Sequence, residues 1–111
     1  MAGTPFKDGP ESLSNSVANI YTPSANTYAL IRHIHIANTD SSARTVNLYV
    51  GLTGGSANGT ELVEGYSIAA NDVLDLYFPA GLKLTSSDFL TGSASAATVC
   101  VITTTGELYA A

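Results

Sequence analysis

Apolar residues alternate with polar ones along much of the chain, most clearly between residues 29 and 52. A polar linker at 38–42 divides this stretch, and its short Asn, Thr, Asp and Ser side chains favour turns. Strict alternation places every second side chain on the same face of a strand. We therefore predict two strands that pair as an antiparallel hairpin. The alternating apolar positions are Leu30, Ile34 and Ile36, followed by Val46, Leu48 and Val50.

Similar short runs recur about every ten residues with turn-forming residues between them, which is typical of an all-β chain. No window keeps a 3.6-residue apolar period, so we expect little helix. The pattern predicts an antiparallel β-sandwich of about eight short strands, for which a jelly roll is one possible arrangement. The predicted strands cover residues 17–22, 28–37, 44–52, 61–69, 73–78, 82–84, 89–93 and 98–104. The predicted core consists of Ile20, Leu30, Ile34, Ile36, Val46, Leu48, Val50, Leu74, Leu76, Phe78, Val99 and Val101.

The first residues differ in composition from the rest of this 111-residue chain, whose length suits one domain. Residues 1–16 are rich in Gly, Pro, Ser and Asp, and Pro5 and Pro10 exclude a helix and disfavour strand pairing. We predict an extended N-terminal arm at 1–16, followed by the β-sandwich at 17–111. The arm is either a disordered tail or a segment that crosses onto a neighbouring subunit with Phe6 as its anchor.

Charge is scarce and mostly negative. The net charge is −5 and only four residues are Lys or Arg, without a basic cluster, so we expect neither nucleic-acid binding nor recruitment to anionic membranes. Charged residues make up 12% of the chain, about half the usual share, and Ser, Thr, Asn, Ala and Gly replace them. Such a surface suits close packing against other subunits. A stable extracellular β-protein with a Ser/Thr-rich surface is the alternative.

Cysteine content and hydropathy limit the cellular setting. The single cysteine, Cys100, cannot form a disulfide within the chain, and its apolar surroundings predict a small buried hydrophobic residue. We expect the chain to fold in a reducing cytoplasm. The N-terminus has no apolar segment of the kind that a signal peptide needs, and no run approaches the ~20 apolar residues of a membrane span.

His33 and His35 are the only two histidines, and they flank Ile34 in the longest predicted strand. Residues i and i+2 of a strand share a face about 6–7 Å apart, so two such imidazoles could share one metal ion. A site needs a third ligand, and the sequence offers only Asp40 in the adjacent turn. The alternative places both rings on an outer or interfacial face of the sheet. We predict no metal ion and no cofactor.

No motif points to catalysis. No serine lies in a Gly-x-Ser-x-Gly elbow, and the glycine-rich stretch 51–59 lacks the Gly-Lys-Ser/Thr of a phosphate-binding loop. The carboxylates of Glu61, Glu64, Asp72 and Asp75 are spread over two segments, and the chain has no Trp to line a glycosidase cleft. We therefore expect no catalytic residues and no enzymatic activity.

Tyrosine is the dominant aromatic residue, with six copies against three of phenylalanine. Tyrosine is favoured at protein interfaces because its side chain is large, rigid and amphipathic. Half-buried positions at the rim of the core are the simpler interpretation, and a sugar-binding platform is a third. Tyr49 should point away from the core, opposite Leu48 and Val50.

Several strand-and-turn segments resemble the small β-sandwich virion proteins of tailed bacteriophages. The segments are YTPSANTYALIRHIHIANT, TVNLYVG, LDLYFPAGLKL and ATVCVITTTGEL, within residues 20–108. This group includes head decoration proteins, head fibres and tail-associated modules. The resemblance implies a non-enzymatic structural subunit, and it carries over no catalytic residues because the segments contain none.

The resemblance and the composition together predict a capsid decoration, or cement, protein on the outer surface of the phage head. It would be made in the host bacterial cytoplasm, form a homo-oligomer with a trimer favoured, and stabilise contacts between major capsid protein subunits. We expect partner contact through Thr4, Pro5, Phe6 and Lys7 in the arm. The alternative is a tail- or fibre-associated module that binds a host-surface glycan through tyrosines and the 51–59 loop.

Overall fold

The computed structural model describes residues 3–51 and 61–110, which form eight strands. No helix occurs among these residues, as the sequence predicted. Likewise, nowhere in the described part of the chain is there a helix with the length and apolar character needed to cross a membrane. The strands are β1 (Thr4–Ser12), β2 (Ala18–Tyr21), β3 (Thr27–Asn38), β4 (Arg44–Gly51), β5 (Glu61–Ile68), β6 (Val73–Thr85), β7 (Phe89–Ala94) and β8 (Cys100–Ala110).

The strands form two antiparallel four-stranded sheets that pack as a sandwich. The first sheet has the order β1-β8-β3-β6 and the second the order β2-β7-β4-β5. The first half of the chain thus lies antiparallel to the second half, with β1 on β8, β2 on β7, β3 on β6 and β4 on β5. This pairing of two rolled-up halves is the jelly-roll arrangement. The predicted fold class is confirmed.

The predicted hairpin of β3 and β4 is wrong, because the two strands belong to different sheets. β3 lies between β8 and β6, whereas β4 lies between β7 and β5. The linker 38–42 therefore crosses from one sheet to the other. Asn38, which is 2% exposed, holds this crossing: its side-chain amide donates to the carbonyl oxygens of Ser42 and Ile68, each at 3.0 Å. Alternation had identified Ile34 and Ile36 of β3 and Val46 and Leu48 of β4 as inward-facing, but not the partner of either strand.

The core lies between the two sheets and includes most of the predicted residues. Ile34 and Ile36 of the first sheet meet Val46 and Leu48 of the second, and all four are fully buried. Leu74 is also buried, while other predicted members pack partly buried against this cluster: Ile20, Val50, Leu76, Phe78 and Val99. Leu30 and Val101 do not belong to the core. Cys100 lies in it, as predicted, and burial raises the pKa of its thiol.

A β-bulge in β3 explains the misplaced Leu30. The register of β3 against both neighbours shifts between Ile31 and His33, so the alternation changes phase there. Ala29 and Ile31 point inward before the bulge, and Ile34 points inward after it. Leu30 therefore lies on the outer face. The bulge also decides which of the following side chains face inward and which face outward, and it places His33 on the outer face.

The N-terminal segment is extended, as predicted, but it forms the edge strand β1 of the first sheet. Its residues pair with β8, and the register shifts between Asp8 and Glu11, where Pro10 lies. An edge strand tolerates proline because one side of the strand has no ladder to complete. Phe6 does not leave the domain: its ring stacks on Tyr21 at 5.2 Å between centroids.

The strand β6 also accommodates a proline. The sequence predicted two short strands at 73–78 and 82–84, and the structure joins them in one strand that continues through Pro79. β6 is the other edge of the first sheet, so the same reasoning applies.

Candidate functional site

The two histidines project from the same face of β3, the outer face of the first sheet. Their ring centroids are 6.1 Å apart, and 28% of the His33 side chain and 37% of the His35 side chain are exposed. The predicted placement of both rings on one face is therefore confirmed. Since β3 lies between two neighbouring strands, the rings sit inside the sheet surface and not at its edge.

Asp75 joins the two rings. It lies on β6 directly opposite His35 in the strand register. A single carboxylate oxygen, Asp75 Oδ1, accepts hydrogen bonds from His33 Nε2 at 2.7 Å and from His35 Nδ1 at 2.6 Å. The bond from His35, and next the bond from His33, favour the carboxylate form and hold the pKa of Asp75 below its ordinary value.

The sequence did not reveal this third group, because Asp75 lies in a different segment from the histidines. Asp75 lies between Val73 and Tyr77 in an alternating strand, and this pattern indicates an outward side chain. The sequence did not indicate that β6 pairs with β3. Asp40, the acidic residue considered from the sequence, instead pairs with Arg44 in the linker turn, with Oδ2 2.6 Å from the Arg44 Nη2.

Tyr77 completes the cluster. Its ring stacks on the His33 ring at 4.5 Å between centroids and an angle of 11°, and the residue is 69% exposed. The stacking restrains the His33 ring, while much of Tyr77 remains accessible to a partner.

The other charges on this face are paired or rest on aromatic rings. Arg32 Nε donates to Glu107 Oε1 at 2.9 Å, and Arg32 Nη1 donates to the Pro79 carbonyl oxygen at 2.8 Å. Tyr28 stacks on Tyr109 at 5.1 Å between centroids, and Lys83 Nζ lies 4.7 Å from the Tyr28 ring centroid. We call this surface the outer face, defined by Tyr28, Arg32, His33, His35, Val73, Asp75, Tyr77, Lys83, Glu107 and Tyr109.

Exposed apolar groups are concentrated on β6. Four large hydrophobic residues of the described chain are exposed, and two of them, Val73 at 48% and Tyr77 at 69%, flank Asp75 on the outer face. Tyr66, at 48%, lies on β5 in the second sheet. The outer face therefore combines exposed apolar groups with ring stacks and neutralised charges.

The arm residues predicted to contact a partner divide between the two sides of β1. Pro5 pairs with Glu107 and Lys7 with Thr105, so both extend the outer face to the sheet edge. Phe6 points to the inner side, onto Tyr21. Thr4 is exposed at the start of the strand. Partner contact through these four residues stays a prediction.

The other sequence-predicted positions lie away from the outer face. Tyr49 is not a member of the buried cluster that contains Leu48, yet it is only 5% exposed, and its hydroxyl donates to Glu64 Oε2 at 3.4 Å. Residues 52–60, which include most of the glycine-rich loop, lie outside the described residues. Within the described residues no pocket is found.

Comparison with known proteins adds no relative. No protein-family model matches this chain, and no curated protein matches its sequence. The resemblance to phage virion proteins therefore stays a prediction.

Proposed function

We propose that this protein is a non-enzymatic structural subunit that binds another protein through the outer face. The finer proposal is a capsid decoration protein of a tailed bacteriophage, which binds the head and stabilises contacts between major capsid protein subunits. The observation that carries the proposal is the pair of exposed apolar residues, Val73 and Tyr77, on a face where Arg32 pairs with Glu107 and Lys83 lies over the Tyr28 ring.

A protein partner suits this surface chemistry. The centres of protein interfaces are depleted in charge and enriched in tyrosine and arginine, and apolar groups concentrated on one surface mark such sites. Arg32 and Glu107 neutralise each other, so covering them would not leave an unpaired charge. The rings of Tyr28 and Tyr109 already stack, so they lose little freedom on binding.

A virion setting is supported by the segment resemblance over residues 20–108 and by the low charged fraction of 12%. Jelly rolls occur in viral capsid proteins and in lectins, so the fold is compatible with the proposal without specifying it. A homo-oligomer, with a trimer favoured, would engage several capsid subunits at once, and such multivalency raises occupancy without new contacts. Pro5 and Lys7 would extend the contact at the β1 edge.

The proposal is tested by binding to phage heads. Purified protein is mixed with heads assembled from the major capsid protein of the same genome, and bound copies per head are counted after sedimentation and by electron microscopy. We expect saturable binding in symmetric positions. Tyr77→Ser should reduce occupancy at least tenfold at subsaturating protein, which corresponds to about 1.4 kcal/mol or more.

Tyr66→Ser is the matched control, since it removes a similarly exposed tyrosine from the second sheet. Its occupancy should equal that of the unsubstituted chain. Equal losses for both variants would contradict the assignment to the outer face. No binding to any head, by a protein that is folded and sediments as a monomer, would contradict the decoration role.

The second candidate is a tail- or fibre-associated module that binds a host-surface glycan. The exposed Tyr77 ring favours it, because aromatic faces can pack against sugar rings. A glycan array separates the two proposals. A decoration protein should bind no glycan, whereas a glycan-binding module should show sugar binding that Tyr77→Ser abolishes.

A further inference from the structure

We propose that His33, His35 and Asp75 form a binding site for a divalent transition-metal ion, with Zn²⁺ as the ion that suits them best. Their ligand-type atoms all lie within 4.8 Å of one another. Two imidazole nitrogens and one carboxylate oxygen belong to the ligand set that zinc prefers in proteins. This site does not depend on the proposed function, since the three residues converge whether or not the chain binds a capsid.

The hydrogen bonds of the cluster already aim both ring nitrogens at one point. His33 Nε2 and His35 Nδ1 both lie against Asp75 Oδ1. A neutral imidazole can carry its proton on either nitrogen. When the proton sits on the other nitrogen of each ring, the same two atoms present lone pairs to the space beside Asp75 Oδ1. A metal ion then takes the place of the two bridging protons, and neutral rings release no proton in the exchange.

The charge and the spacing fit a divalent ion. Two neutral rings and one carboxylate carry one negative charge, which attracts a dication. Zinc bonds of about 2.0–2.1 Å place tetrahedral ligand atoms about 3.3 Å apart. The present separations from Asp75 Oδ1 are 2.7 Å and 2.6 Å, and all three ligand atoms lie within 4.8 Å of one another. The carboxylate must therefore withdraw by less than about 1 Å, and the two ring nitrogens must approach each other by up to about 1.5 Å. The Asp75 side chain is 31% exposed and can rotate by that much.

The surroundings favour a transition metal over calcium or magnesium. Calcium and magnesium select oxygen ligands, whereas imidazole suits zinc, copper and nickel. Arg32, the nearest cation in sequence, is occupied by Glu107 and the Pro79 carbonyl oxygen. Stacking on Tyr77 holds the His33 ring in orientation. Three protein ligands on a partly exposed face leave a fourth position for water or for a group from a second molecule.

The experiment measures zinc binding by the whole chain after chelator treatment. Isothermal titration with ZnCl₂ should give one ion per chain. Asp75→Asn and His35→Gln should each weaken binding at least tenfold. Asp72→Asn is the matched control: it makes the same chemical change three residues away, and asparagine keeps the side-chain oxygen that accepts the Val73 amide hydrogen bond. Its zinc affinity should be unchanged.

A second measurement uses the unsubstituted protein and so does not depend on how the variants fold. Nitrogen-15 NMR of the imidazoles should show Zn²⁺ shifting the resonances of His33 Nε2 and His35 Nδ1, with both rings moved to the opposite tautomers. The proposal is overturned if zinc at about 100 µM, the concentration that half-fills a site whose Kd has that value, leaves those resonances in place. It is equally overturned if Asp75→Asn and His35→Gln bind zinc as tightly as Asp72→Asn.

Discussion

At the scale of single residues, the polar groups in the least favourable environment lie near β1. Asp8 Oδ2 and Thr104 Oγ1 are both buried, and neither has a hydrogen-bond partner among the described residues. The two residues face each other across the β1–β8 pair. Desolvation, followed by interaction with the Asp8 side chain and by the Asp8 charge, raises the pKa of Glu11. Two carboxyl groups held so close are destabilising when both are ionised.

We expect Glu11→Gln to stabilise the protein at pH 7. Folding raises the pKa of the Glu11 carboxyl group, so this group binds its proton more tightly in the folded state than in the unfolded state. Its ionisation therefore destabilises the folded protein. This effect is complete above the pKa of the folded state and disappears below the pKa of the unfolded state. The gain should be modest, below about 1 kcal/mol, because solvent screens this exposed position. Urea denaturation should show it at pH 7, and it should shrink as the pH falls toward the ordinary pKa of glutamate.

The stability of Glu11→Gln must be compared with that of the unsubstituted protein at each pH, because other carboxylates change the stability with pH in the opposite direction. Folding lowers the pKa of Asp40 and of Asp75, so their contributions are lost as the pH falls. In an Asp8→Asn background the effect of Glu11→Gln should diminish, since the like charge is gone. If Glu11→Gln destabilises the protein by the same amount at pH 7 and near the ordinary pKa of glutamate, Glu11 contributes through packing and not through its charge.

At the scale of the strands, the close approach of β3 and β8 sets the outer face. Gly106 of β8 lies opposite Ile31, at the bulge that directs His33 outward. A Cβ atom at position 106 would collide with the backbone carbonyl oxygen of Leu30. Only glycine therefore fits at position 106, because every other residue has a Cβ atom. Gly106, which this close approach requires, is distant from Ile31 in the sequence.

We expect Gly106→Ala to destabilise the fold by about 3 kcal/mol or more, because the collision is with backbone and cannot be relieved by a rotamer change. Gly65→Ala is the control: a Cβ there meets nothing within 4 Å, so its cost of about 1–2 kcal/mol comes from the positive φ of 63°. Chemical denaturation measures both. If Gly106→Ala costs no more than Gly65→Ala, the close approach does not constrain the bulge.

At the scale of the whole molecule, β1 is part of the sandwich. It covers one edge of β8 and places Phe6 against Tyr21 of the other sheet. The chain that follows adds Leu13, which is 3% exposed in the core. A deletion of the N-terminal segment would therefore remove both a structural strand and a candidate contact surface, and it cannot separate the two roles.

We expect deletion of residues 1–12 to destabilise the domain by at least about 3 kcal/mol, since it removes the partly buried ring of Phe6 and the β1–β8 ladder. The exposed β8 edge should also promote aggregation. Thermal unfolding and light scattering measure these effects. Lys7→Ala, an exposed position on the same strand, should leave stability unchanged. A deletion variant as stable as the parent would mean that the segment is a dispensable arm.

The sequence alone determined the fold class, the approximate positions of most strands and part of the core. Alternation is a local property, so Ile34, Ile36, Val46 and Leu48 could be assigned to the core before any strand was paired. For the same reason, alternation placed His33 on the same face of its strand as His35. Turn-forming residues marked where most strands end because their backbone preferences are also local.

Only the tertiary structure decided which strands pair and in what register. The hairpin predicted for β3 and β4 failed because two amphipathic strands can bury the same faces either side by side or across a sandwich. The backbones of β3 and β8 approach closely at Ile31 and Gly106, and Asp75 meets His33 only because β6 pairs with β3. These contacts join residues far apart in the chain, and the free energy that selects them comes from the packing of the complete sandwich.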